Sequence, residues 1–215
     1  MALKTFQNLK PERREEILMT CYREFALKGY QSASLSEIIK QLGLAKGSFY
    51  RYFTNKKELY AYLIQHASER RLSKIDQLIA QPDIDFFEVI RQNFFDKLKF
   101  DIENPVIAGF LYQVMHEREN HEVADVIKTL YQSVIGITRS IIEMEKFSQQ
   151  LKTSDAELVA FQVFHMQLWL YDYVAYKYRI DFQANIKNGK PVLNLSEADL
   201  HRIIDVSVAM LKNGI

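Results

Sequence analysis

The chain has 215 residues, 48% of them hydrophobic and 26% charged, with a net charge of +1, a balance that suits a folded globular protein and argues against disorder. No apolar run approaches the roughly 18 residues that span a bilayer, and the first stretch, MALKTFQNLKPERREE, lacks the apolar segment of a secretory signal. The single Cys21 has no partner for an intrachain disulfide, so the sequence predicts a cytoplasmic protein without membrane contact.

The charge is unevenly spread. Residues 1–60 carry 11 Lys/Arg against 6 Asp/Glu, whereas residues 61–215 carry 17 against 21. A basic front and an acidic remainder suggest that only the front meets a polyanion.

Seven glycines, four prolines and long 3.6-residue periodicities predict an all-α protein of about nine helices. The first helix is expected over Pro11–Lys28, with proline in its first turn and Leu18, Cys21, Tyr22 and Phe25 on one apolar face. That placement makes Cys21 a buried structural thiol, and Gly29 should stop the helix. Ser34-Leu35-Ser36-Glu37 reads as a capping box, in which Ser34 accepts from the Glu37 amide and the Glu37 carboxylate reaches back. The second helix then buries Leu35, Ile38, Ile39 and Leu42 and ends at Gly43. A third helix follows over Ala45–Tyr52, and Asn55 caps a fourth running from Lys56 towards Ala80. Later helices are expected from an Asp83 cap to Glu103, from Asn104-Pro105 to Arg118, over 122–150, from a Ser154/Glu157 capping box to Tyr178, and from Ser196 to Lys212. Residues 180–195, with Asn188-Gly189 and Pro191, read as a loop.

Two short helices joined through Gly43 form a helix-turn-helix pattern over residues 34–53. Glycine permits the positive φ that such a turn needs. Ala45, Phe49 and Phe53 share the inward face of the third helix, while Lys46, Gly47, Tyr50 and Arg51 share the outward one. Apolar anchors behind and donors in front are what a helix in a major groove requires. Arg51 has the fork that matches the two acceptors of guanine, and Lys46 and Lys56 lie near helix N-termini, where backbone amides favour phosphate. On residue pattern alone, the same corner also suits an internal helix pair with solvated charges.

The stretch SLSEIIKQLGLAKGSFYRYFTNKKEL, residues 34–59, with its Lys-Gly pair, Tyr50-x-x-Phe53 and Lys56-x-x-Leu59, resembles the DNA-binding region of the TetR family of bacterial transcriptional regulators. The preceding REEILMTCYREFALKGYQSAS resembles that family's first helix, and the likeness covers about residues 10–60. The resemblance implies DNA contacts from Ser34, Leu35 and Ser36, from Ala45, Lys46, Gly47, Tyr50, Arg51 and Tyr52, and from Lys56 to a phosphate. Ala45 departs from the Ser or Thr common at its position, which leaves one contact to backbone amides. The resemblance further implies a DNA-binding domain over 1–55 and a ligand-sensing, dimerising domain over 56–215. It implies a homodimer through helices at about 155–178 and 196–212, a pseudo-palindromic double-stranded operator, and a repressor associated with the nucleoid.

No catalytic constellation is apparent. HERENH, from His116 to His121, spaces its two histidines one residue too far for a zinc helix, about 140° apart round the axis. No P-loop, paired cysteine or Ser/His/Asp set occurs, so no enzyme, metal or cofactor is expected. The later helices are rich in aromatics, most of which suit core packing. Tyr112 and His116 share one face, and Phe161, Phe164, His165 and Leu168 share another. With the cavity that the resemblance implies, Phe94, Tyr112, His116, Phe164, His165 and Trp169 are the candidate contacts to a hydrophobic or aromatic effector. The other reading is a DNA-binding scaffold of the same fold that recruits a protein and senses no small molecule. Ile203, Ile204, Val208 and Leu211 on the last helix are the expected dimer seam.

Overall fold

The computed structural model describes residues 4–72, 74–188, 190–191 and 193–214. Every regular element among them is a helix: α1 (Lys4–Gln7), α2 (Pro11–Ser32), α3 (Leu35–Gln41), α4 (Lys46–Tyr50), α5 (Lys56–Leu72), α6 (Ile75–Ile79), α7 (Phe86–Glu103), α8 (Pro105–His116), α9 (Ala124–Ile142), α10 (Glu145–Ser148), α11 (Ala156–Tyr178), α12 (Phe182–Lys187) and α13 (Glu197–Gly214). None is long and apolar enough to cross a membrane. Nine correspond to the expected helices. The others, α1, α6, α10 and α12, are single turns or little more, too short for a periodic apolar stripe to announce them.

Several boundaries move for local reasons. Gly29 takes φ 68° and kinks α2, and one further turn follows before Ala33. The helix expected from Lys56 to Ala80 divides into α5 and α6, and the segment 122–150 divides into α9 and α10. Asp85 caps α7 by accepting from the Glu88 amide at 2.7 Å, in place of Asp83. Asp155 caps α11 by accepting from the Leu158 amide at 2.9 Å, in place of Ser154. In each case a carboxylate one or two residues nearer the first turn holds the cap. Residues 182–187 form α12 inside the expected loop; Gly189 of that loop lies outside the described residues. Ser196 caps α13 as expected, accepting from the Asp199 amide at 3.1 Å.

The chain forms two compact units. The first comprises residues 1–70, 104–130 and 182–192, and the second residues 71–103, 131–181 and 193–215. In the first, α2 lies along α8. Tyr22, Phe25 and Tyr60 meet Phe110 edge to face, with centroids 5.1, 6.3 and 5.4 Å away. Cys21 is fully buried there, and burial pushes its thiol well above the ordinary range, as befits an inert core residue.

In the second unit α13 packs on α7. Ile203, Ile204, Val208 and Leu211 are buried in the protomer, which overturns their expected place at a dimer seam. The helix carries two apolar stripes, and the denser one fills the core. Val206 and Met210 form the other and stay 55% and 65% exposed.

Candidate nucleic-acid interface

The helix-turn-helix is built on three buried anchors. Ile38, Phe49 and Phe53 have no exposed surface, and Ile39 and Leu42 are nearly as buried. Leu35 is only half covered. Gly43 adopts φ 61° between α3 and α4, and the Leu44 amide donates back to Ile39 O at 3.1 Å. Phe6 of α1 closes the assembly from behind, with its ring 5.0 Å from Phe53 and 5.7 Å from both Tyr52 and Tyr62. Sequence reasoning missed Phe6 because one aromatic in a four-residue helix has no periodicity.

Only half of the expected capping box forms. Ser34 Oγ accepts from the Glu37 amide at 3.4 Å, but the Ser34 amide donates to Glu24 Oε1 at 2.9 Å. Glu24 is 5% exposed and pairs with Lys28 at 2.9 Å. A carboxylate from α2 therefore orients the start of α3. Its place one turn on from Cys21, at the edge of the apolar face, was the available signal. Arg13 fixes the other end of α3 by donating to Leu42 O at 3.1 Å.

Ser36, Ala45, Lys46, Gly47, Tyr50 and Arg51 are exposed on this corner, and Ser34, Leu35, Tyr52 and Lys56 are partly covered. Open space surrounds Gly47, where a Cβ would meet nothing within 4 Å. Ala45 stands at the N-cap of α4 without a side-chain bond. Lys56 lies over the Tyr30 ring, 4.7 Å from its centroid, and its Nζ donates to Gln31 O at 3.1 Å. Partial burial draws its pKa down. An ammonium has three donors, so this one is positioned by Gln31 with two left for an oxyanion. Asn55 accepts from the Glu58 amide at 2.8 Å and starts α5.

Residues 17–63 match the model of the bacterial regulatory proteins of the tetR family. The chain is 25% identical over 159 residues to the HTH-type transcriptional regulator YhgD of Bacillus subtilis, covering 74% of this chain and 82% of YhgD. Residues 17–63 are therefore a DNA-binding segment of the TetR type. It is also 26% identical over 141 residues to the nucleoid occlusion factor SlmA of Vibrio campbellii, covering 65% of this chain and 71% of SlmA. The fold extends over the full length: a TetR family transcriptional regulator from Chloroflexus aurantiacus aligns with TM-score 0.71 at 24% identity, over 100% of this chain and 98% of that one. That segment is a DNA-binding helix-turn-helix of the kind carried by bacterial transcriptional regulators.

A carboxylate remote in sequence holds this helix-turn-helix head to its own core. Glu117 accepts from the Tyr30 amide at 2.5 Å and from the Tyr60 hydroxyl at 2.6 Å. A Cβ on Gly29 would collide with it, and Gly29 also needs its positive φ. Gly29→Ala should therefore cost about 1–3 kcal/mol from backbone strain alone, plus displacement of the Glu117 lock. Glu117→Ala should cost about 1–3 kcal/mol, because it strands the buried Tyr60 hydroxyl. Urea denaturation of both variants checks this; midpoints equal to the parent's would refute the lock.

The candidate effector contacts fall in separate places. Tyr112 and His116 stack in the first unit with centroids 4.3 Å apart, and Tyr112 also meets Phe182 at 4.3 Å. Phe94 and Phe164, in the second unit, line a cavity framed by α7, α9 and α11, with Leu72 of α5 and Ile75 of α6 at its edge. His165 stacks on Phe161 with centroids 4.0 Å apart, and Trp169 is 55% exposed. Neither lines the cavity. Its free interior holds little more than one water molecule.

Proposed function

We propose that the protein is a homodimeric repressor, acting on the nucleoid of a bacterial cytoplasm, whose residues 1–55 read a pseudo-palindromic operator and whose residues 56–215 dimerise and sense a small apolar effector. The observation that carries the DNA-reading part is the separation of faces on α4: Phe49 fully buried, Lys46, Gly47, Tyr50 and Arg51 outward. Recognition helices use that separation to present donors to base edges. The dimer part rests on an apolar face left uncovered on the protomer. Leu158, Phe161, Trp169 and Tyr176 of α11 are 49–83% exposed, as are Val206 and Met210 of α13 within that range. Large apolar side chains exposed in such number are characteristic of an interface.

Effector control is supported by the path of α5. It begins at Lys56, in the reading head, and ends at Arg71 and Leu72, the second of which lines the cavity. A ligand that prefers one position of that helix shifts the two-state balance, and operator and ligand must then weaken each other equally. The alternative function, a DNA-binding scaffold that recruits a protein, is favoured by the small free interior and by the similarity to a nucleoid occlusion factor.

Selection of genomic DNA by the purified protein is the direct test. It should return a two-fold site, because a symmetric dimer reads two half-sites. On that site Arg51→Ala should cost about 1–3 kcal/mol and relax one base position. Lys56→Ala should weaken all sequences alike and lower the salt dependence. If Lys46→Ala with Arg51→Ala bound the selected site as tightly as the parent at matched salt, the reading face would be elsewhere.

A further inference from the structure

The cavity of the second unit is apolar except for a few groups, and one of them is a buried cation. Lys97 of α7 is 5% exposed, and its Nζ donates to Gln167 Oε1 at 2.8 Å; both residues line the cavity. Four residues on, Asp101 is 1% exposed and is occupied by others. Arg71 donates to its Oδ2 at 2.5 Å, and the Tyr171 hydroxyl donates to the same oxygen. Lys97 has no ion-pair partner among the described residues. Arg71 Nε and Asp101 Oδ1 are buried without a hydrogen-bond partner among them as well.

The cluster thus holds two basic groups against one acid. A net positive charge out of water is costly unless an anion answers it. Without one, the group that yields is the lysine, and burial draws its pKa down to about 7.

We propose that this cavity takes an apolar monocarboxylate, whose carboxylate pairs with the Lys97 ammonium while its hydrocarbon lies among Phe86, Phe94 and Phe164. This rests on the reading of the second unit as a sensor and names the class of molecule sensed. A dianion such as a phosphate ester is disfavoured, because the Asp101 carboxylate lies one turn from Lys97 on the same helix. A neutral apolar molecule leaves the surplus cation unanswered. Because the free interior is so small, the hydrocarbon has to part α7 from α11. That movement makes occupancy a conformational signal rather than passive filling.

Binding carries its own proton signature. The charged groups acting on Lys97 are Arg71 of α5 and Asp101 of α7, and Tyr171 of α11 stands behind them as a donor to Asp101. Above pH 7 the empty site holds Lys97 largely neutral, so receiving a carboxylate draws a proton from solution. Affinity should be level below about pH 7 and fall roughly tenfold per pH unit above it.

The test is calorimetric titration of the full-length protein with octanoate, 1-octanol and octylamine, at pH 6.5 and 8.5, on the parent and on Lys97→Met. Octanoate should bind the parent roughly ten- to a hundredfold more tightly than 1-octanol, the ordinary worth of a charged hydrogen bond, and octylamine most weakly. Lys97→Met should erase the octanoate advantage and keep the 1-octanol affinity. In buffers of different ionisation heat, parent binding at pH 8.5 should take up close to one proton per octanoate, a readout that needs no variant. Equal affinity for octanoate and 1-octanol, or no proton uptake, would overturn the anionic head while leaving the sensor reading in place. No binding of any of the three probes would overturn both.

Discussion

A Phe161→Glu, Trp169→Glu double variant should sediment as a monomer at micromolar concentration, where the parent sediments as a dimer. Both side chains are about half exposed on the protomer, at 49% and 55%, so neither substitution removes a core contact. In a dimer closed through α11 and α13, each glutamate would place an uncompensated charge in an apolar seam, at about 3–5 kcal/mol per site. A two-fold seam counts each substitution twice. The variant should also lose binding to two-half-site DNA, because a single head makes only half the contacts. Trp169 reports the event directly: its emission should move to the red as the ring passes from seam to water. A double variant that remained dimeric, with helicity unchanged, would place the interface on another face.

Lys97→Met should be more stable than the parent at pH 7, and the gap should close as pH rises. In the folded protein the Lys97 pKa is drawn down to about 7, by burial first and the Arg71 charge second. The unfolded chain holds its lysine proton up to the ordinary value near 10.5. Between those values the unfolded state binds more protons than the folded one, so parent stability rises with pH, by at most about 1.4 kcal/mol per unit. Methionine has nothing to titrate and keeps the stem's packing, so its contribution is level. Urea midpoints at pH 7, 8 and 9, at one protein concentration, should therefore converge. Parallel curves for the two proteins would show that Lys97 is not desolvated in the folded state.

Much of the reading head was legible because its chemistry is local. Phe49 and Phe53 at a spacing of four, Gly43 between two short apolar patterns and Ser34 before Glu37 each follow from backbone geometry, and the structure shows both rings buried and the glycine at positive φ. What escaped was set by distant groups. The Ser34 amide goes to Glu24, and the Tyr30 amide goes to Glu117, 87 residues later. The last helix shows the opposite difficulty. Its sequence carries two apolar stripes, and periodicity alone does not say which one faces the protomer's own core. Packing chose Ile203, Ile204, Val208 and Leu211 and left Val206 and Met210 outside. Ser154 and Asp155 compete for one cap, and a hydroxyl and a carboxylate side by side are not separable by pattern. Of the candidate pocket residues only Phe94 and Phe164 line the cavity, because an aromatic that fills a core and one that borders a void have the same spacing.

The closeness of α2 to α8 bears on how this head could be inherited. The segment that matches the family, residues 17–63, packs Tyr22, Phe25 and Tyr60 against Phe110 of α8, and Tyr60 donates to Glu117. Recombination that transplanted those 47 residues alone would expose three aromatic rings and strand a phenol. The reading head is therefore not a free-standing cassette. Substitutions in the residues of α8 that cover the head are therefore expected to be tolerated only when α2 changes with them.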